Sequence, residues 1–215
     1  MRSDTIRRII RAYDDPVVRA YCWARFWILR QRFLDEIGQY LPPAGVVLDI
    51  GCGFGLFSLY YAATAPGRFV RGLDLDARRI GLARRAAGRL GLDNVLYEQG
   101  DARDFKSDSE VAAAYMLDIV HHVPPAAVPP LLARLRRSLP PGGLLLVKDV
   151  DTRPTAKRWF TWVLDRAMMP RTPVHYWSAE ALTRALEVAG FGVRRHLMVD
   201  ILPYPHILYI CEAQR

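Results

Sequence analysis

The sequence predicts an α/β fold, a doubly wound and mostly parallel seven-stranded sheet with an antiparallel C-terminal strand. Three observations carry this reading. Val46-Val47-Leu48-Asp49-Ile50 is a buried-strand pattern running straight into Gly51-Cys52-Gly53-Phe54-Gly55, alternate glycines where a helix should begin. Apolar runs of strand length then recur down the chain, separated by helix-length spacers. The last two runs are joined by a short Pro-containing link that cannot hold a helical crossover, so that pair must be antiparallel.

The elements follow in order. Pro16 to Leu41 reads as a helix with Trp23, Trp27, Leu34, Ile37 and Leu41 in one stripe, with Arg30 falling in it, and Pro42-Pro43 and Gly45 end it. Strand one is Val46 to Ile50, followed by a helix near Leu56 to Thr64. Strand two is Phe69 to Asp74, followed by a helix from Ala77 to Leu90 closed by Gly91. Strand three is Val95 to Glu98. Val111 to Leu117 is strand four, a near-continuous apolar run of the kind expected when both sheet faces are covered. Pro129 and Pro130 argue against one helix from Pro124, so the main helix is placed at Pro130 to Leu139. Pro140-Pro141-Gly142-Gly143 turns into strand five, Leu144 to Val150. An insertion follows, then a helix capped by Ser178 with Glu180 in its first turn and Gly190 past its end. Strands at Val193 to Val199 and His206 to Cys211 finish the chain.

No repeat or low-complexity linker divides the 215 residues. We read an N-terminal helical cap over 1–45, then one domain over 46–215 carrying a lid insertion at 151–177. Cys22, Cys52 and Cys211 show no CxxC spacing and leave an odd count, which argues for a reducing compartment. Charges interrupt every apolar stretch of MRSDTIRRIIRAYDD, and no run approaches the roughly 20 apolar residues of a membrane span. The expectation is a cytoplasmic protein, peripheral at the inner membrane surface if it meets a membrane at all.

The net charge of +8 is concentrated. Residues 1–41 and 153–171 together account for seven of those charges, and Arg outnumbers Lys 27 to 3. All five Trp (Trp23, Trp27, Trp159, Trp162, Trp177) lie in the N-terminal helix or the insertion. Tyr13, Trp23, Trp27, Arg158, Trp159 and Trp162 are therefore read as a substrate or membrane cap, against the alternative that the rings pack a lid onto the core. Nucleic acid is the rival partner for basic aromatic segments, ranked lower because no separate RNA-binding module is visible.

Glycines at 51, 53 and 55 allow positive φ and close approach of backbone to a ligand, while the amides opening the next helix meet polar groups. A NAD-type fingerprint would put its third glycine at 56, which is leucine here. Together with GLDLD, GDARDF, YMLDIVHHV, PPGGLLLV and ILYIC, all in order, the VLDIGCGFG loop resembles the class I S-adenosylmethionine-dependent methyltransferases, small-molecule branch, from about Val46 to the C-terminus. That resemblance implies a Rossmann-like methyltransferase fold and S-adenosyl-L-methionine as cofactor. It implies that Gly51, Gly53 and Gly55 lie against the methionine part, with Asp49 near its ammonium. Asp74 would accept from the ribose hydroxyls, an ionised carboxylate being acceptor-only. Asp76 is its rival and more plausibly starts the following helix. Leu75 would pack on the adenine. Asp101 would accept the adenine amino proton while the Ala102 amide donates to the ring, the alternative being a simple turn residue, and Leu117 closes the strand-four end of the site.

Asp118, His121 and His122 follow strand four, where acceptor chemistry of this superfamily lies. Histidine is suited to take a proton near neutral pH, and His121 is preferred as base over His122, with packing under the sheet edge as the other reading. No metal site is expected, since adjacent side chains diverge and no third ligand is evident. The partner implied is a small-molecule or lipid acceptor. A nucleic-acid methyltransferase and a non-catalytic cofactor-binding module remain the alternatives, and the oligomeric state is open.

Overall fold

Helix starts are where the sequence speaks most directly. In this computed structural model, which describes residues 2–105, 111–150, 174–198 and 206–215, Asp15 caps the helix α2 (Pro16–Ile28), its carboxylate accepting from the amides of Val17 and Val18 with Pro16 in the first turn. Asp76 does the same for α5 (Ala77–Leu90), whose far end closes on Gly91 in the left-handed conformation. Ser178 caps α7 (Ala179–Val188) through the Ala181 amide.

The chain divides into two compact units, Met1–Ala114 and Tyr115–Arg215. The first holds α1 (Arg2–Ala12), α2, α3 (Arg30–Gly38), β1 (Gly45–Ile50), α4 (Leu56–Thr64), β2 (Arg68–Asp74), α5 and β3 (Val95–Gln99). Here β1 pairs with β2 and β2 with β3, both parallel. The second holds α6 (Val128–Ser138), β5 (Leu144–Val150), α7, β6 (Phe191–Leu197) and β7 (His206–Ala213). In it β7 is antiparallel to both β5 and β6. The strand β4 (Ala113–Leu117) crosses the boundary, and the seven strands run in the order β3-β2-β1-β4-β5-β7-β6. That is the mostly parallel sheet with an antiparallel C-terminal strand read from the sequence.

Three expectations change. The helical cap gains a separate first helix at Arg2–Ala12, ahead of the one placed at 16–41; Ile9 is buried while Arg7, Arg8 and Arg11 stay exposed, so one short apolar face suffices. The single helix over 16–41 is instead two, because the chain leaves helical geometry at Leu29 (φ −84°, ψ 10°) and sinks that side chain into the core. The stripe facing inward on α2 is Val18, Cys22 and Phe26, not Trp23 and Trp27, which are 60% and 59% exposed. Their rings stack on each other at 6.5 Å.

The interior of the first unit is built around tyrosines. Tyr97 of β3 lies across the loop after β1, its hydroxyl donating to the Gly55 carbonyl. A Cβ on Gly55 (φ +78°) would strike that hydroxyl, and one on Gly72 would meet the Tyr97 ring at 2.7 Å and the Cys52 sulfur at 2.9 Å. Both positions therefore need glycine on space alone. Cys22, Cys52 and Cys211 are all buried thiols; burial pushes Cys22 up to about 12 and Cys52 well above the ordinary range, so neither ionises readily.

Among the described residues no helix is long and apolar enough to cross a membrane. No group of three or more His, Cys, Asp or Glu there could hold a metal ion.

Candidate functional site

Two groups of polar residues stand out, one in each unit. In the first unit the turn after β1 places Gly51, Gly53 and Gly55 at φ of 79°, 56° and 78°, a run of left-handed residues that only glycine adopts cheaply. A Cβ on Gly53 would meet nothing within 4 Å, so the loop has open space beside it. Asp74 ends β2 with its carboxylate turned to the same loop: one oxygen accepts from the Gly53 amide at 2.8 Å and the other from the Asp76 amide at 3.0 Å. Each oxygen keeps a lone pair for another donor. Asp76 caps α5, one carboxylate oxygen holding the amides of Arg78 and Arg79. Leu75 stands 66% exposed beside Asp74, an apolar side chain with nothing over it.

Asp49 and Asp101 are differently placed. Asp49 is buried and accepts from the Ser58 hydroxyl, which ties the end of β1 to α4 on the far side of the turn. Asp101 opens a short turn containing Ala102 and accepts from the Arg103 amide and, over both oxygens, from the Arg103 guanidinium at 2.5 to 3.0 Å. The neighbouring guanidinium holds the Asp101 carboxyl below the usual carboxylate range. Its acceptor sites are filled by Arg103, so an adenine amino group would have to displace that side chain. This cluster fits a cofactor with a diol: an open, glycine-lined turn, a carboxylate with acceptor capacity, and an uncovered apolar residue next to it. We expect Asp74→Ala to weaken S-adenosylhomocysteine binding by about 1–3 kcal/mol through lost charge-assisted hydrogen bonds, measured by calorimetry.

In the second unit, β4 ends at the buried Leu117, and Asp118 follows with φ 58°, the one described non-glycine residue in the left-handed region. Such strain persists where surrounding contacts enforce it. Here they do: the Asp118 amide donates to the Lys148 carbonyl at 2.9 Å, and its carboxylate is ion-paired with the Lys148 ammonium, a side chain with no exposed surface. Next to this pair, Asp149 brackets His121. Its carboxylate accepts from the His121 amide at 3.1 Å and lies 2.5 Å from Nδ1 of the ring. An acceptor at Nδ1 favours, in the neutral ring, the tautomer with its proton there and the lone pair on Nε2. The His122 ring sits 4.2 Å from His121 and the Tyr176 ring 5.9 Å away, while the His175 amide donates to the His121 carbonyl.

Sequence reasoning singled out Asp118, His121 and His122 but missed Lys148, Asp149 and Tyr176. The signal was present in LLLVKDV, where two charges end a strand whose other residues are apolar. Buried charges require partners. Of the cap residues, Tyr13 is 1% exposed and faces inward, its hydroxyl donating to the Phe54 carbonyl at 2.8 Å. Trp23 and Trp27 face outward. Arg158, Trp159 and Trp162 lie outside the described residues.

A family model for a methyltransferase domain matches residues 24–196. The chain belongs to this methyltransferase family, within the class I S-adenosylmethionine-dependent superfamily. Its cofactor is accordingly S-adenosylmethionine. The chain is 34% identical over 114 residues to a fatty-acid O-methyltransferase of Mycolicibacterium smegmatis, a match covering 53% of this chain and 40% of that protein. It is 32% identical over 155 residues to a ubiquinone biosynthesis O-methyltransferase of Aeromonas salmonicida, covering 62% and 63%. The matches span about half the length of the curated relatives. In fold it is similar to the PH0226 protein of Pyrococcus horikoshii, with a TM-score of 0.72 at 19% identity over 94% of this chain and 93% of that one.

Proposed function

We propose that this methyltransferase transfers the cofactor's methyl group to a small, hydrophobic or lipid-like acceptor bearing an ionisable X–H group, with His121 as the proton acceptor. Bound S-adenosylmethionine supplies an electrophilic methyl on a sulfonium. The glycine turn and Asp74 hold the cofactor, and in-line positioning provides much of the rate. Methylation of a hydroxyl or amine releases one proton. Nε2 of His121, its tautomer set by Asp149, takes it. Lys148 and Asp118 hold the backbone from which His121 projects.

The observation that carries the acceptor class is the exposed Trp23–Trp27 stack on α2. Paired Trp at a surface suit a lipid interface or a long apolar ligand, with ring edges left polar. The fatty-acid and ubiquinone names of two relatives point the same way. Basic residues of the N-terminal helices would add attraction to anionic headgroups.

The test is methyl transfer from tritiated S-adenosylmethionine to a total lipid extract, to a panel of phenols and hydroxy acids, and to RNA. In parallel, the protein is sedimented with anionic and neutral vesicles, with Trp23→Ala/Trp27→Ala as control. Label in the organic phase and salt-dependent sedimentation lost in the double variant are expected. Label in RNA would transfer the assignment to the nucleic-acid alternative. Tight S-adenosylhomocysteine binding with no label anywhere would support a non-catalytic module.

A further inference from the structure

Phe54, between Gly53 and Gly55 in the cofactor turn, is gripped from three sides. The Tyr13 hydroxyl donates to its carbonyl at 2.8 Å. The Tyr21 ring lies 5.5 Å from its ring, and the Arg79 guanidinium stands 5.6 Å from the same ring. The peptide that joins Phe54 to Gly55 is thus pinned at both ends, because the Gly55 amide donates to the Cys52 carbonyl at 2.9 Å. A glycine-flanked peptide is the unit of this turn most free to flip. Tyr13 is what holds its oxygen in place.

Tyr13 belongs to the elbow between α1 and α2, and this elbow is tied to α5. Arg89 donates to the Ala12 carbonyl at 2.8 Å and pairs with Asp14 at 3.0 Å; Arg85 reaches Asp14 at 3.3 Å, and Arg78 pairs with Asp15 at 2.7 Å. Arg19 closes the elbow on itself through the Tyr13 carbonyl. The same α5 carries Arg79 and begins three residues after Asp74. Elbow, glycine turn and the start of α5 therefore form one ring of contacts around the candidate ribose acceptor.

The members of that ring are not equal. The arginine pairs are partly exposed, and exposed pairs contribute little individually. Tyr13 is buried, its phenol pushed well above the ordinary range by burial, so it remains a donor throughout the working pH range. Phenylalanine would fill the same space without serving the carbonyl.

We propose that Tyr13 is a positioning residue for the cofactor: it sets the Gly53-Phe54-Gly55 turn, and through it docking of the α1–α2 elbow and occupation of the turn are coupled. The inference rests on the turn being the cofactor site. Coupling of this kind is reciprocal, so cofactor bound at the turn must tighten the elbow by the same factor by which the docked elbow tightens cofactor binding.

The experiment compares wild type with Tyr13→Phe in the full chain, using S-adenosylhomocysteine as probe. Calorimetry should show affinity lower by roughly 10-fold in the variant, the scale of one buried hydrogen bond. Hydrogen exchange should show ligand-induced protection of residues 5–21 in wild type and its loss in the variant, which a purely structural role would not produce. Equal affinities within twofold would overturn the proposal, as would wild-type protection confined to residues outside 5–21. Should Tyr13→Phe fail to fold, the double variant Arg85→Gln/Arg89→Gln, which cuts the Asp14 pairs and the Ala12 bond together, replaces it: a few-fold weaker affinity supports the coupling, and unchanged affinity overturns it. Wild type that binds no S-adenosylhomocysteine would instead remove the cofactor-site reading itself.

Discussion

Turnover of His121→Ala is expected to fall roughly 100-fold or more, with S-adenosylhomocysteine affinity within a few-fold of wild type. The split follows from the geometry. His121 lies in the second unit, where its contacts include Asp149, His122 and Tyr176, while the residues expected to bind cofactor are in the glycine turn and at Asp74. Asp149→Asn should reproduce part of the loss. An amide at that position can present its NH₂ to Nδ1 and favour the other tautomer, leaving the ring but misplacing the lone pair. Both variants are to be assayed by single-turnover transfer to whichever fraction accepts label. Full activity in His121→Ala would leave positioning as the whole mechanism, and an unfolded variant would assign the ring to packing beneath Tyr176.

The second large effect concerns stability. Asp118→Ala should cost about 3–5 kcal/mol, because it removes the carboxylate bonded to a lysine with no exposed surface. It also puts alanine at a positive φ that disfavours it, adding about 1 kcal/mol. Asp118→Asn separates the two terms, since asparagine tolerates the backbone but not the charge pairing. The double replacement Asp118→Asn/Lys148→Met should recover most of the loss by removing both charges together. Urea denaturation of wild type, these three variants and Lys148→Met alone reads this directly. Additive costs in the double variant would show that the pair contributes no mutual stabilisation.

Strand ends and helix caps were legible in the sequence because their chemistry is local. Asp76 and Ser178 cap where they should, and the glycine turn announces itself without any tertiary contact. The orientation of α2 was not legible. VVRAYCWARFWI is apolar around most of its circumference, so periodicity alone could not tell which of two apolar faces meets the core. The structure chose Cys22 and Phe26 and left the tryptophans out. Asp149 was hidden for another reason: it stands 28 residues from His121 in sequence, and only the pairing of strand ends brings them together. The Arg103 guanidinium on Asp101 was not legible either, because it lies two residues on, a separation that periodicity arguments do not examine.

The Tyr97 ring has a bearing on how this chain can vary. It occupies the space that side chains at 55 and 72 would need, and it supplies the bond that closes the turn. The three positions form an interlocked set: alanine at 72 is compatible only with a smaller residue at 97, that exchange gives up the hydroxyl on the Gly55 carbonyl, and alanine at 55 would in addition strain a left-handed backbone. Substitution at any one of them is thus conditional on the other two. Across diverging copies of this sequence, drift at the turn is gated from a strand more than forty residues away.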